Sequence, residues 1–248
     1  MNRLSTLLVF LSTALLTLLN GAKGEKTLTF QSSEDQVQLL ELFTSQGCSS
    51  CPPAERWIHQ FAEHPGLWDE IVPVVYHVDY WDQLGWKDPF ATRQFTERQY
   101  AYARDGSIRQ VYTPCFVSNG NEWRGYFQQE SLPKANGSSG VLKAQIKGNR
   151  LTANYSEKKP LTLNIAILGF DLTTDVKRGE NRGRKLDQQF VVLDHQTVAS
   201  SNGNWATKMP KIDLTSAEQY AIALWVTQKG KFKPLQATGS WIDSPHLN

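Results

Sequence analysis

Apolar positions change their spacing along the chain, and the change divides it near residue 140. Val37 to Phe43 is an apolar run of strand length, and Ala54, Trp57, Ile58, Phe61 and Ala62 then recur at helical spacing. Pro52 and Pro53 fall in the first turn of that helix, where missing N–H groups cost least, and His64-Pro65-Gly66 ends it. Ile71 to Tyr80 is Val-rich and nearly continuous, as in a central strand covered on both faces. Strand, helix, strand with short connections predicts a parallel unit whose two strands end on one edge. Trp81 to Phe90 holds too much aromatic area for an idle loop and is expected to form either a lid or a groove. Ala91 to Arg104 has the pattern of a charged helix. A strand then begins at Thr113-Pro114-Cys115, and Asn119-Gly120 predicts a tight hairpin returning along Glu122 to Phe127. Gln128 to Ala135 is expected to be a short terminal helix.

Asn136-Gly137-Ser138-Ser139-Gly140 has the composition of a linker. After it, residues 141–146, 151–155, 161–170, 189–193, 197–201, 220–226 and 232–242 have strand patterns. About seven strands in roughly a hundred residues predict a small antiparallel sandwich over 141–248. Asp171 to Lys185 is a long charged loop carrying Gly179-Glu180-Asn181-Arg182-Gly183, which either docks on the first unit or is solvated.

Composition narrows the possibilities. A net charge of +2 and the absence of a basic stripe interleaved with aromatics argue against a nucleic-acid partner. Met1-Asn2-Arg3, the apolar run Leu4 to Leu19 and the small Ala22 form the pattern of a cleavable secretory leader over 1–22. That run is about 16 residues, short of the ~20 a membrane-spanning helix needs. The expectation is export to the periplasm or beyond, with no membrane attachment after cleavage. Three cysteines are too few for a disulfide scaffold, so the fold must rest on its apolar core.

Cys48-Ser49-Ser50-Cys51 places two thiols where a loop turns into a helix. There they can close a small disulfide ring and reopen it, with the thiolate of the outer Cys48 as attacker and Cys51 as resolver. A structural disulfide, half of a zinc site and two buried small apolar residues stay open as alternatives. His77 and Asp79 are expected on the same sheet edge as Cys48. The ordinary role for His77 is a hydrogen-bonded core histidine, and for Asp79 a loop cap.

The order of elements is that of thioredoxin, and residues 36–135 resemble a thioredoxin-like domain, a central mixed sheet with flanking helices. Glu41 to Ala54, His77-Val78-Asp79-Tyr80-Trp81, Gly85 to Phe90, Tyr112-Thr113-Pro114 and Gly179 to Gly183 resemble the exported bacterial domain-of-unknown-function family 1223. The resemblance implies an α/β thioredoxin-like domain followed by a β-rich one, with the chemistry unassigned. It implies a buried acid under the cysteines, a role for which Glu41 is the candidate. The sequence alone argues for a trans Thr113–Pro114 bond, since cis is the minority form even before proline; in a redox domain of this kind a cis Pro114 would turn the Thr113 backbone toward an incoming polypeptide. Trp81 and Trp86, in the aromatic loop, are the candidate substrate contacts if that loop forms a groove. A glutamine usually follows Thr-Pro in that family. Cys115 stands there in this chain, as a third redox thiol, a soft metal ligand or a buried free cysteine.

The expected function is an exported thiol–disulfide oxidoreductase acting on polypeptide thiols and disulfides through Cys48 and Cys51. It needs no cofactor beyond that pair. Two other classes stay open. One is a copper or zinc module using the thiolates with Cys115 or His77. The other is a binding domain with a structural disulfide.

Overall fold

A computed structural model describes residues 26–157, 159–210 and 217–243; the expected leader lies outside them. Strands β1 (Thr27–Gln31) and β2 (Gln38–Thr44) lead into helix α1 (Cys51–His59). Strand β3 (Ile71–His77), helix α2 (Arg93–Arg104) and the strands β4 (Cys115–Ser118) and β5 (Asn121–Glu122) follow. The second half contains β6 (Leu142–Lys147), β7 (Arg150–Tyr155), β8 (Leu161–Phe170), β9 (Leu172–Asp175) and β10 (Lys185–Gln188). It continues with β11 (Val191–Ser200), β12 (Asn204–Lys208), β13 (Gln219–Gln228) and β14 (Pro234–Ile242).

The expected fold class is overturned. Strand residues make up 45% and helical residues 17%, and there is no thioredoxin-like α/β unit with flanking helices followed by a separate sandwich. The two halves share one eight-stranded sheet, in the order β14-β13-β8-β11-β3-β2-β4-β5. Its seam is at β3, whose Val75 pairs in parallel with Val191 of β11 and donates its N–H to the Phe190 carbonyl at 2.9 Å. An unpaired β3 edge would expose a row of backbone donors and acceptors, and β11 covers it.

Locally the first half follows its pattern. β2 and β3 are parallel, from Gln38 opposite Ile71 to Thr44 opposite His77, and β4 runs antiparallel to β2. Asn119 and Gly120 both have positive φ, 46° and 79°, which a two-residue hairpin turn demands. Gln128 to Ala135 is not helical; a short 3-10 turn comes earlier, at Gly125–Gln128. The runs at 189–193 and 197–201 are one strand, β11, with a register shift between Val192 and Asp194.

β1, β6, β7 and β12 form a separate four-stranded sheet. It packs on one face of the long sheet, where Leu142, Ile146 and Leu151 meet Leu163, Ile165, Ile222 and Leu224. On the other face, Leu168, Phe170, Ala223 and Trp225 join the core built by β2, β3, α1 and α2. β8 and β13 are therefore buried on both sides, which is why both are apolar almost without alternation. β9 and β10 pair only with each other, as a hairpin beside the main sheet.

Candidate functional site

The parallel strands β2 and β3 end side by side, and the chain leaves β2 through a short loop into α1. Cys48 lies in that loop and Cys51 opens the helix. Both are free thiols, and both are buried, Cys48 at 1% exposure and Cys51 at 0%. Ser49 and Ser50 between them are exposed.

The two thiols differ in their surroundings. The Cys48 thiol is lowered from its ordinary value to about 6. The hydrogen bond from Cys51 is the largest cause, burial opposes it, and the Ser50 hydroxyl, Thr113 and the Ser50 backbone N–H add to it. Cys48 Sγ lies 3.2 Å from Ser50 Oγ and 3.8 Å from the Thr113 carbonyl. The helix terminus thus contributes, but less than the neighbouring thiol does. Cys51 is pushed well above its ordinary value by burial, then by the hydrogen bond and charge of Cys48, then by the charge of Glu55. One sulfur ionises easily and the other holds its proton. Alkylation of Cys48 should follow the thiolate fraction. The rate is expected to rise with pH to a plateau with a midpoint near 6, and to fall off below it as the sulfur is protonated. A midpoint at the ordinary thiol value in an iodoacetamide pH series would contradict this.

Thr113 and Pro114 reach the pair as expected. Their peptide bond is cis, not the trans form that the sequence alone argues for, and the Thr113 carbonyl faces Cys48. Trp81 and Trp86 also come to the loop, but they bolt it down instead of lining an open groove. Trp81 Nε1 donates to Thr113 Oγ1 at 2.8 Å, and Trp86 Nε1 donates to Gln46 Oε1 at 2.9 Å. Gln46 is fully buried and acts as a hub, with its side-chain N–H groups on Thr174 of β9 and Gln188 of β10.

Glu41 is buried elsewhere. Arg98 of α2 pairs with it at 2.6 Å and Tyr102 donates to its second oxygen. The carboxylate beside the thiols is Glu55, one helical turn after Cys51 and 3% exposed, which accepts a hydrogen bond from Thr44 Oγ1 at 2.6 Å. Burial raises its carboxyl above the ordinary value, against the pull of His77. The sequence carries a signal for it. Cys51, Ala54, Glu55 and Ile58 form the buried stripe of α1, and Glu55 is the charged residue in that stripe.

His77, also fully buried, places Nδ1 2.7 Å from Asp88 Oδ2. Burial disfavours its imidazolium, but the charge and hydrogen bond of Asp88, with the charge of Glu55, outweigh that and raise it. Asp88, which pattern reasoning did not single out, also accepts from the Gln46 N–H at 2.8 Å and so holds the Cys loop against β3. Asp79 only orients α2: its N–H donates to Thr96 Oγ1 at 2.9 Å, and that hydroxyl donates to the Asp79 carboxylate. Cys115 is buried in β4 opposite Phe43, its thiol pushed up to about 12, mainly by burial. Among the described residues no three His, Cys, Asp or Glu side chains are placed to hold a metal ion.

The charged loop of the second half docks. Asn181, between β9 and β10 and fully buried, donates both to the Gln46 carbonyl and to the Cys48 carbonyl, at 2.9 Å each. Glu180 Oε2 accepts the Ser49 N–H at 2.9 Å. Gly179 lies against Trp86 at φ 73°, where a side chain would be strained and would press on the Trp86 Cβ.

Fold and site together define a mostly-β protein with a hydrogen-bonded dithiol at a helix start, roofed by a hairpin from its own second half. The chain belongs to the family described as protein of unknown function (DUF1223), whose model matches residues 39–227. It is similar to the crystal structure of protein AGR_C_4864 from Agrobacterium tumefaciens, with 26% identity and a TM-score of 0.62. That match covers 86% of this chain and 97% of the other. It is also similar in fold to HBP35 of Porphyromonas gingivalis, with 14% identity, a TM-score of 0.54, and coverage of 86% and 77%. No curated protein matches the sequence.

Proposed function

We propose that the protein is a thiol–disulfide oxidoreductase of an export compartment, with polypeptide thiols and disulfides as partners. The observation that carries the reading is the asymmetry of one small site. Cys48, next to the Thr113 carbonyl, ionises readily, and Cys51 keeps its proton in reserve. A Cys48 thiolate would attack a partner disulfide and form a mixed disulfide, releasing one partner sulfur as a thiolate. Cys51 would then attack Cys48, closing the Cys48–Cys51 bond and releasing the second partner sulfur. A stabilised Cys48 thiolate stabilises the reduced form, and so makes the oxidised pair the stronger oxidant. No described helix is long and apolar enough to cross a membrane.

Cys48 is 1% exposed, so exchange with a protein partner requires a neighbouring segment to move; the β9–β10 tip, held by Asn181 on the Gln46 and Cys48 carbonyls, is the segment proposed to lift. The metal-module reading has a poorer set of donors, since Asp88 holds His77 and Cys115 sits in a strand with its proton tightly bound.

Cys51→Ala should accumulate mixed disulfides in the secreting cell, visible as reductant-sensitive adducts on non-reducing gels and lost when Cys48 is also changed to Ala. A chain that traps no partner would refute the enzyme reading. So would a pair whose reduction potential is far below about −300 mV, the range of structural disulfides.

A further inference from the structure

The four-stranded sheet turns one face to the long sheet and the other to solvent. Leu28, Ile146, Leu151 and Trp205 pack inward, and the residues that alternate with them along β1, β6, β7 and β12 point out. Continuous pairing aligns the outward residues in rows across the strands. One row is Thr27, Lys147, Arg150 and Lys208, so that Lys147 stands directly opposite Arg150, and Arg150 directly opposite Lys208. All three cations are exposed. Like charges in such positions repel and destabilise a sheet. Lys143, four positions before Lys147 on β6, adds a fourth cation to the same face.

Nothing on the sheet compensates them. None of β1, β6, β7 and β12 contains Asp or Glu. Among the described residues none of the four cations has an ion-pair partner. Charged side chains keep an open sheet from pairing with others, but mixed signs would do so without the repulsion. A chain with a net charge of only +2 has gathered these cations on one small face. Beside the row runs a groove of about 320 Å³, whose polar lining comes from Thr29, Lys143, Gln145, Thr152, Asn154 and Asn204. The outward residues include no aromatic or large apolar side chain. Surfaces that enter a bilayer insert such residues, and single-stranded nucleic acid stacks its bases on rings. A flat bed of cations, hydroxyls and amides matches instead a polymer rich in hydroxyls and carrying regularly spaced anions.

We propose that the outer face of the four-stranded sheet binds an acidic polysaccharide, with its carboxylates on Lys147, Arg150, Lys208 and Lys143 and its hydroxyls in the groove beside them. Neighbouring strands lie about 4.8 Å apart, so a chain laid across β6, β7 and β12 meets a cation at each one. Against such a ligand the repulsion within the row becomes attraction to a shared partner. The core that carries α1 lies on the other side of the long sheet, so a bound polymer leaves the Cys loop uncovered. The site is thus independent of what the thiols do.

The purified protein is titrated with polygalacturonate and with dextran, a neutral glucan. Polygalacturonate should bind and dextran should not. The affinity should fall roughly tenfold or more between about 50 and about 200 mM salt, as counterions are displaced. Lys147→Gln with Arg150→Gln should weaken binding by about tenfold or more. Lys229→Gln with Lys231→Gln, in the β13–β14 turn, removes the same charge and should leave binding within about twofold. Thermal unfolding separates lost binding from lost fold. The sheet variant should unfold at or above the wild-type temperature, because the repulsion is gone. A lower temperature would contradict the strain on which the assignment rests. Four other results overturn it: no binding of polygalacturonate at low salt, equal binding of dextran, equal loss in the two pairs of substitutions, or tighter binding to phosphatidylglycerol vesicles or a single-stranded oligonucleotide.

Discussion

Arg98→Ala is expected to lower the unfolding free energy by about 3–5 kcal/mol, the range for breaking one side of a buried ion pair. Glu41 is fully buried on β2 and takes Arg98 Nη2 at 2.6 Å and Nε at 2.8 Å. The guanidinium lies 5.3, 5.2 and 5.4 Å from the ring centres of Tyr76, Tyr102 and Trp225. Those groups come from β2, β3, α2 and β13, so the cluster clamps the junction of the two halves. His195 of β11 extends it, 3.4 Å from the Tyr76 hydroxyl and 3.2 Å from Asn164 Oδ1 of β8. Removing the arginine leaves a carboxylate in the core whose one remaining hydrogen-bond partner among the described residues is the Tyr102 hydroxyl. Urea unfolding should show a lower midpoint at unchanged slope. The double change to Arg98→Met with Glu41→Leu should recover much of the loss, because buried pairs can often be replaced by apolar residues of similar volume. A single-mutant cost below about 1 kcal/mol would mean the pair is solvated, contrary to its burial. Neither change should move the alkylation midpoint of Cys48, since Glu41 has no described contact with either thiol.

Asn181→Ala is expected to raise the rate at which a bulky maleimide reaches Cys48 by roughly tenfold to a hundredfold. One side-chain amide satisfies two carbonyls of the Cys loop, and its loss leaves buried acceptors unpaired, at about 1–3 kcal/mol. That cost falls on the closed position of the β9–β10 tip alone, so the open population grows by the corresponding factor. The hairpin suits such movement, having no strand partner outside itself. The discriminating comparison is reagent size. A small alkylating agent should gain less from the substitution than a large one. Equal rates for mutant and wild type with the large reagent would show that the tip does not guard the sulfur.

Much of the site was legible in the order of residues. Cys48, Cys51 and Thr113-Pro114 were expected together and are together, because a strand–loop–helix and a neighbouring strand end bring them to one edge by local geometry alone. Glu41 was misplaced for a reason that pattern cannot supply. A lone acid in an apolar strand is buried in either case, and only the position of Arg98, 57 residues away, decides what it serves. Glu55 was hidden within a helix whose other stripe residues are ordinary core. Asn181 and Glu180 lie more than 130 residues from the loop they cover, and spacing has no reach over that distance.

The chain's periodicities by themselves determined the strands of the eight-stranded sheet with β6 and β7, the helices α1 and α2, and the thiol pair at a helix start, since each depends on neighbours within a few residues. The short polar strands β1, β9, β10 and β12 left no such pattern, and the helix expected over Gln128 to Ala135 did not form. The joining of the halves into one sheet was decided only in three dimensions. So were the docking of the β9–β10 tip on the Cys loop and the placing of Glu55, not Glu41, beside the thiols. Unpaired strand edges and uncompensated charges find their partners across space, at separations that local pattern does not encode.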